Sequence, residues 1–225
     1  LSGAGNISVG DENFAIARKG VFEEMPHILY VPPGHDFTVT TDSAFEFAVG
    51  AAPAEGKYPL RLFTPDEMKS EVRGSGAATR QVNHVLAHPL PAERLILFEV
   101  YVPGGAWSGY PPHCHDTYGG SAHLDETYYF RFQPENGFGF HRNYRVDNDF
   151  DESFGVQTGD CVLVTQGFHS TTAAPGMNMY FLNYLAGELL DDKRGTPPFD
   201  DPQYEHLKGN LDGAGMTLPV VGTSR

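Results

Sequence analysis

Basic residues and cysteines are scarce in this chain of 225 residues. Its 15 lysines and arginines stand against 29 aspartates and glutamates, which gives a formal net charge of -14 at pH 7. A surface of this sign argues against nucleic acid as a partner. The only cysteines are Cys114 and Cys161, too few for a disulfide framework, so we expect reduced thiols in a cytoplasmic protein.

Long apolar runs and nucleotide-binding glycine motifs are also lacking. No apolar stretch approaches the roughly 20 residues that a membrane-spanning helix needs, so we expect no membrane partner. The chain has no Gly-rich dinucleotide fingerprint, which argues against nicotinamide chemistry. Glycine and proline are plentiful instead, at 26 and 17 residues, and aromatic residues make up 12%. This composition favours many strands joined by turns and predicts an all-β protein.

Three histidines and one glutamate predict a metal site. His113 and His115 are two residues apart, so on a strand both project to the same side, about 7 Å apart along the chain. In the next apolar run, Glu126 shares a face with aromatic residues and Asp125 shares the other face with polar ones. An apolar interior therefore favours Glu126 as the inward carboxylate. His169 follows a third strand-like run, where a turn can aim it at the others. Imidazole and carboxylate suit zinc, iron, manganese or nickel.

The motifs around these residues resemble those of a known family. They are YPPHCHD, LDETYYFRF, GFGFHRNY, GDCVLVTQGFH and AAPGMNMYFLNYLAG, with LYVPPG, APAEG and EVRGSGAATRQV upstream. They look like those of the 5-deoxy-glucuronate isomerases of inositol catabolism, bicupins related to the 4-deoxy-threo-hexosulose-uronate ketol-isomerases. The resemblance implies a metal ion held by His113, His115, Glu126 and His169. Ten residues separate His115 from Glu126, more than in the general cupin pattern, so Asp116 and His123 compete with Glu126 as ligands.

A short internal repeat predicts two related halves. Gly34 aligns with Gly167, 133 residues later, and the same offset places FEFAVGAAPA on NMYFLNYLAG. Together with the resemblance, this predicts an all-β bicupin of two jelly-roll-like cupin barrels, the first incomplete at its N-terminus. We expect the N-terminal barrel over 1–56, an inter-barrel connection over 57–90, the C-terminal metal-binding barrel over 91–190 and a tail over 191–225. Asp36 aligns with His169, so we expect one divalent ion per chain, in the C-terminal barrel.

The resemblance also implies a reaction, the aldose–ketose isomerisation of 5-deoxy-D-glucuronate to 5-dehydro-2-deoxy-D-gluconate. In such a reaction a metal ion polarises the carbonyl group and acidifies the adjacent C–H, while a general base moves the proton. The candidates for that base are Glu126, His141, Tyr144 and Tyr184. Because a guanidinium pairs bidentately with a carboxylate, arginines are candidates for binding the sugar acid. These candidates are Arg73, Arg80 and Arg142.

Two other functions share parts of this pattern. An iron-dependent cupin dioxygenase uses the same ligand set and would consume oxygen. A non-catalytic sugar-binding or storage bicupin would hold a structural metal ion, but a complete ligand set counts against it. We also expect a homo-oligomer, and we expect the polar, turn-rich tail over 191–225 to wrap a barrel or a neighbouring subunit.

Overall fold

The computed structural model describes residues 1–212 and 215, and its regular structure is almost entirely β-strand. The strands are β1 (Ser2–Val9), β2 (Glu12–Arg18), β3 (Ile28–Tyr30), β4 (Phe37–Thr40), β5 (Phe45–Glu46), β6 (Arg61–Phe63), β7 (Lys69–Arg73), β8 (Arg80–Leu86), β9 (Ile96–Val102), β10 (Trp107–Cys114), β11 (Leu124–Gln133), β12 (Phe138–Tyr144), β13 (Asp151–Gln157), β14 (Cys161–Val164), β15 (Phe168–Ala173), β16 (Asn178–Gly187) and β17 (Phe199–Asp200). Short 3-10 helices lie at Pro65–Glu67, Gly76–Ala78, Tyr118–Gly120, Asp191–Gly195 and Glu205–Leu207. Among the described residues, no helix has the length and apolar character needed to cross a membrane. The predicted all-β class is confirmed.

Two antiparallel sheets face each other in the C-terminal half. One has the strand order β13-β12-β15-β10-β17, and the other has the order β14-β11-β16-β9-β8-β7. On β11, Tyr128, Phe130 and Phe132 are buried, whereas Tyr129 and Arg131 on the other face are partly exposed. The buried rings pack with apolar residues of both sheets into the main core. Within the described residues the two sheets stay separate and do not close into a barrel.

The N-terminal half repeats part of this arrangement. β2, β1 and β4 form a sheet in that order, β5 pairs with β1, and β3 pairs with β6. At the offset of 133 residues found in the sequence, β3 falls on β14 and β4 falls within β15. The pairing agrees as well, since β1 lies between β2 and β4 as β12 lies between β13 and β15. The short sequence repeat therefore corresponds to a repeated strand topology.

A buried ion pair joins the two halves. The guanidinium nitrogens of Arg18 on β2 lie 2.6 Å and 2.9 Å from the carboxylate oxygens of Glu99 on β9. The two side chains are buried, and Tyr180 donates its hydroxyl to the same carboxylate at 2.8 Å. The neighbours of Glu99 along β9, Phe98 and Val100, contact the main core on the other face. The N-terminal half therefore packs on the outer face of the six-stranded sheet.

The stretch 57–90, expected to connect the barrels, contains three strands. β6 pairs with β3, while β7 and β8 extend the six-stranded sheet beyond β9. The C-terminal half therefore recruits chain from before residue 91. β7 has the sequence KSEVR, a charged edge strand in which the apolar alternation typical of strands is missing. The tail contributes a strand as well, because β17 pairs with β10. The boundaries of the four predicted segments stay predictions.

Candidate metal centre

Three strands bring four potential ligands together. β10 carries His113 and is followed directly by His115, β11 carries Glu126, and β15 carries His169. One ligand atom from each of these residues lies within 4.8 Å of the other three. The structure thus brings together the four residues that the sequence motifs single out.

Antiparallel register aims two of the imidazoles at the same point. His113 lies directly opposite His169 in the β10–β15 ladder, so the side chains share a face and their ring centroids are 4.6 Å apart. Gly167 makes the turn before His169, with φ of 82° and so little space that a Cβ would lie 2.5 Å from the Tyr144 carbonyl oxygen. Cys114 points to the opposite face and is buried in an aromatic cluster. The two-residue spacing of His113 and His115 therefore places both imidazoles on the side of the cluster, while Cys114 between them points away.

Glu126 lies at the centre of the cluster. Its Oε2 atom is 2.5 Å from His115 Nε2 and 3.1 Å from His169 Nε2. Its Oε1 atom accepts a hydrogen bond from the side-chain amide of Asn183. His115 is oriented through its other nitrogen, since Nδ1 donates to the Leu124 carbonyl oxygen at 2.7 Å. The Nε2 atom of His115 therefore faces the cluster.

Burial and mutual charge decide the protonation of these groups. Burial alone would raise the pKa of Glu126, but the imidazoles of His115 and His169 hold it well below its usual value. Burial lowers the pKa of His115, but the Glu126 carboxylate outweighs this effect and the pKa is raised. Burial, and next the neighbouring His169, hold the pKa of His113 well below its usual value. Glu126 is therefore ionised and His113 neutral, the forms in which these residues bind metal ions.

A divalent metal ion fits this donor set. His169 Nε2 is buried and has no hydrogen-bond partner among the residues that the structure describes, although Glu126 Oε2 is only 3.1 Å away. A buried nitrogen without a partner is costly, and a bound ion would satisfy it. Three of the four residues are at most 5% exposed, and only His113 is partly accessible. Three imidazoles and one carboxylate suit zinc, iron, manganese and nickel.

The two residues that compete with Glu126 in the sequence have other partners. The Asp116 carboxylate accepts hydrogen bonds from the backbone N–H groups of Gly167 at 2.7 Å and Tyr118 at 3.2 Å, and it pairs with Arg145. It holds the turn that precedes His169. His123 is partly exposed, and its Nε2 atom lies 3.7 Å from Asp125. Neither residue belongs to the cluster.

His141 lies next to the cluster, between the two sheets. It is 1% exposed, its ring stacks 6.1 Å from that of His169, and the Tyr128 ring lies 5.2 Å away. Both of its ring nitrogens are buried, without a hydrogen-bond partner in the described part of the chain. Burial, and next His169, lower the pKa of His141 to about 3, so the imidazole is neutral. A buried, unpartnered imidazole beside a metal-binding cluster is a candidate for substrate contact.

The other candidates on β12 point away from the cluster. Tyr144 lies on the face opposite His141, and its hydroxyl donates to Asp201 at 2.6 Å. Arg142 shares that outer face and forms two hydrogen bonds with Asp151, at 2.9 Å and 2.7 Å. The structure does not bring either residue to the site. His141 and Tyr144 are three positions apart on the strand, and this odd spacing places them on opposite faces.

β16 brings Asn183 to the cluster rather than Tyr184. The Tyr184 hydroxyl donates to the Ala51 carbonyl oxygen at 2.6 Å, on the side of the N-terminal half. Asn183 faces inward and bonds Glu126. The candidates drawn from the sequence omit Asn183, although one signal marks it: it is the single polar residue on an otherwise apolar strand face. The other members of that face are Met179, Phe181 and Leu185.

Two candidate arginines differ in their partners. Arg73 on the edge strand β7 already pairs with Glu71, with Nε 2.5 Å from Oε1. Arg80 on β8 donates from Nη1 to the Ala78 carbonyl oxygen at 3.0 Å, and its Nε atom is buried without a partner from the described residues. It lies near enough to the cluster that its charge adds to the burial that lowers the pKa of His113. Within residues 1–212, Arg80 has no carboxylate partner.

Two facing antiparallel sheets with this His and Glu cluster between them define a cupin-like protein with a potential metal centre. Bacillus subtilis oxalate decarboxylase has a similar fold, with a TM-score of 0.51 at 13% identity over 83% of this chain and 61% of that one. More specifically, the chain belongs to the KduI/IolB family, whose model matches residues 1–207. The family membership predicted from the motifs is confirmed.

Relatives of this chain agree along most of its length. Two proteins named 5-deoxy-glucuronate isomerase are similar to it. The one from Geobacillus thermodenitrificans is 40% identical over 88% of this chain and 74% of its own length, and the one from Geobacillus kaustophilus is 39% identical over 89% and 75%. The crystal structure of an IolB-like protein from Salmonella typhimurium LT2 has a TM-score of 0.85 at 34% identity, covering 92% of this chain and 79% of that chain.

Proposed function

We propose that this protein is a metal-dependent aldose–ketose isomerase that interconverts 5-deoxy-D-glucuronate and 5-dehydro-2-deoxy-D-gluconate in myo-inositol catabolism. One observation carries the proposal: relatives 40% and 39% identical, matched over 88% and 89% of this chain, are named 5-deoxy-glucuronate isomerase. The His and Glu cluster supports the same chemistry, because all four potential ligands are present.

We assign one divalent metal ion per chain to His113, His115, Glu126 and His169, with zinc, manganese, iron and nickel as suitable ions. When bound, such an ion supplies Lewis-acid polarisation of the substrate carbonyl group. His113 is the partly exposed member of the cluster, so substrate approaches from its side. The Glu126 carboxylate keeps its negative charge there, which attracts the cation.

Arg80 is the proposed partner of the substrate carboxylate. Its Nε atom is buried and has no partner among the described residues, and a buried guanidinium favours an anionic ligand. It shares the inner face of β8 with Val82, a member of the main core, so its side chain extends into the space between the sheets. A sugar acid can then place its carbonyl end at the metal centre and its carboxylate at Arg80. Arg73 is less suited, since Glu71 already neutralises it.

His141 is the proposed proton carrier. The reaction moves one proton from C-2 to C-1 and one from the C-2 hydroxyl to the C-1 oxygen, so no oxidant or reductant is needed. The His141 ring lies beside the cluster, and both of its nitrogen atoms lack a hydrogen-bond partner among the described residues, so the ring is placed to accept and return a proton. Tyr128 complements it: burial, and next Glu126, raise its pKa well above the usual value, so its phenol stays protonated and can donate a hydrogen bond to developing negative charge.

We further propose that the enzyme works in the cytoplasm as a homo-oligomer. Both cysteines are free thiols, which suits a reducing compartment. Large apolar side chains on the N-terminal half are exposed, and a neighbouring subunit would cover them. They include Phe37, Phe47 and Val49.

The test is direct observation of the product. Purified protein is incubated with 5-deoxy-D-glucuronate, and the ketose is followed by NMR while an oxygen electrode monitors the same solution. We expect the aldose signals to be replaced by those of the ketose at constant oxygen concentration. Oxygen uptake in step with substrate loss would contradict the proposal and favour a dioxygenase. A parallel sample with the 4-deoxy-threo-hexosulose-uronate substrate distinguishes the two isomerase activities and is expected to react more slowly.

A further inference from the structure

We propose that Asn183 is a positioning residue of the metal centre. It holds the Glu126 carboxylate so that Oε2 points toward the imidazoles. The proposal rests on the metal site assigned above. Asn183 donates its side-chain amide to Glu126 Oε1. The other oxygen, Oε2, is the one that faces the cluster, 2.5 Å from His115 Nε2 and 3.1 Å from His169 Nε2. Asn183 thus holds Oε1 in a hydrogen bond and leaves Oε2 to bind the ion.

The surroundings of Asn183 explain why this hydrogen bond is specific. It is 6% exposed and lies on β16 between Phe181 and Leu185, which point to the same side and are buried. A buried amide among apolar side chains is costly unless it is hydrogen-bonded. Its amide also lies near the Thr127 carbonyl oxygen, at the longer distance of 3.4 Å. The main hydrogen bond of the Asn183 amide is therefore the one to Glu126.

The sheet fixes the geometry of the pair. Asn183 lies opposite Tyr128 in the β11–β16 ladder, and Glu126 occupies the neighbouring inward position on β11. The two side chains are therefore diagonal neighbours on one face, close enough for the amide to reach the carboxylate. β16 is an inner strand that pairs with β11 on one side and β9 on the other. Its backbone therefore provides a fixed support for the amide.

Loss of the amide should weaken metal binding. Without it, Oε1 is a buried charged oxygen with no donor from β16, and the carboxylate can rotate so that Oε1 competes with Oε2 for the imidazoles. Residues that orient metal ligands in this way typically contribute about 10–100-fold to metal affinity. Asn183→Leu removes the donor at similar volume, so the expected effect is a rise of at least about tenfold in the zinc dissociation constant.

The test compares Asn183→Leu with a matched control, Asn83→Leu. Asn83 is also a buried asparagine of the six-stranded sheet, at 1% exposure, but its amide contacts Met25 Sδ at 2.9 Å on the opposite face. Zinc affinity is measured by competition with a chromophoric chelator, on proteins whose fold is checked by circular dichroism. We expect the large loss for Asn183→Leu and a change of less than about threefold for Asn83→Leu, because Asn83 does not touch a metal ligand.

Three outcomes decide the matter. A wild-type protein that binds zinc and an Asn183→Leu variant that binds it equally well would overturn the positioning role and leave the metal site intact. A wild-type protein that binds no divalent ion would overturn the metal assignment, and the positioning role with it. If Asn183→Leu does not fold, Asn183→Ala is measured instead, since it adds no bulk. For Asn183→Ala, a loss of zinc affinity of at least about threefold supports the proposal, and a smaller loss overturns it.

Discussion

Replacing Arg18 with methionine should destabilise the protein strongly, because it removes the cation that neutralises Glu99 between the two halves. In the native protein the guanidinium makes two hydrogen bonds to the Glu99 carboxylate and two to the Glu24 carbonyl oxygen. The Arg18 and Glu99 side chains are only 4% and 2% exposed. After the replacement Glu99 keeps the hydroxyl group of Tyr180 at 2.8 Å, whereas the Tyr101 hydroxyl, 3.3 Å away, donates to the Val21 carbonyl oxygen at 2.7 Å. One neutral donor then faces a buried negative charge.

The size of the effect follows from this burial. Breaking a buried ion pair by removing one partner costs about 3–5 kcal/mol, since the remaining charge is left uncompensated. The remaining donor, the Tyr180 hydroxyl, favours the lower end, about 3 kcal/mol. For a protein of this size, 1 kcal/mol shifts the melting temperature by about 2–4 °C, so Arg18→Met should lower Tm by roughly 6–12 °C.

Thermal unfolding followed by circular dichroism measures this shift, with Arg142→Met as the control. Arg142 pairs with Asp151 on the surface, where the two side chains are 41% and 51% exposed. Such pairs contribute about 0–1 kcal/mol, so the control should lose less than about 4 °C. A shift for Arg18→Met that is no larger than that for Arg142→Met would refute the reasoning that the buried pair holds the halves together.

Three further predictions concern the site. His169→Ala should abolish turnover and lower the amount of bound metal while the protein stays folded, because apolar burial between the sheets stabilises the fold. Elemental analysis measures the bound metal and circular dichroism checks the fold. An unfolded variant would contradict the prediction. Arg80→Met should raise KM at least about tenfold, since a charge-assisted hydrogen bond contributes about 1.5–3 kcal/mol. Arg73→Met should change KM little. Steady-state kinetics measures KM for the two variants, and equal effects would count against Arg80 as the carboxylate partner. Zinc affinity should fall as the pH is lowered from about 8 to 6. Burial lowers the pKa of His115, but the Glu126 carboxylate outweighs this effect and raises that pKa above the usual value. At low pH the ion must therefore displace a proton from His115. Calorimetry in two buffers detects that proton, and an affinity independent of pH would argue against the assignment of His115.

Strand alternation made the centre of the site predictable. The two-residue spacing of His113 and His115, and the aromatic face that Glu126 shares on β11, follow from a period of two that is independent of the rest of the fold. The same rule separates His141 from Tyr144, whose odd spacing on β12 places them on opposite faces. His169 needed more than alternation, because its direction depends on the turn at Gly167 and on its register with β10.

The arginines were harder to predict, because their roles depend on pairing between strands. β7 has the charged sequence of a solvated connection, and its pairing with β8 shows that it is a strand, on which Arg73 lies on the same face as Glu71 and pairs with it. Asn183 likewise gains its meaning from the neighbouring strand, since its acceptor Glu126 is 57 residues away in the chain. Contacts of this kind depend on the tertiary fold, which local patterns do not specify.

The central claim, that this is a metal-dependent isomerase with one ion per chain, is tested most directly by titrating activity against bound metal. Protein freed of metal by a chelator is given increasing amounts of a divalent ion, and the conversion of 5-deoxy-D-glucuronate to the ketose is followed by NMR at each step. The account predicts no turnover in the metal-free protein, a linear rise in rate, and a plateau at about one equivalent per chain, the capacity of the single four-residue cluster in residues 1–212. Full turnover in the metal-free protein, or a plateau at two equivalents, would contradict it.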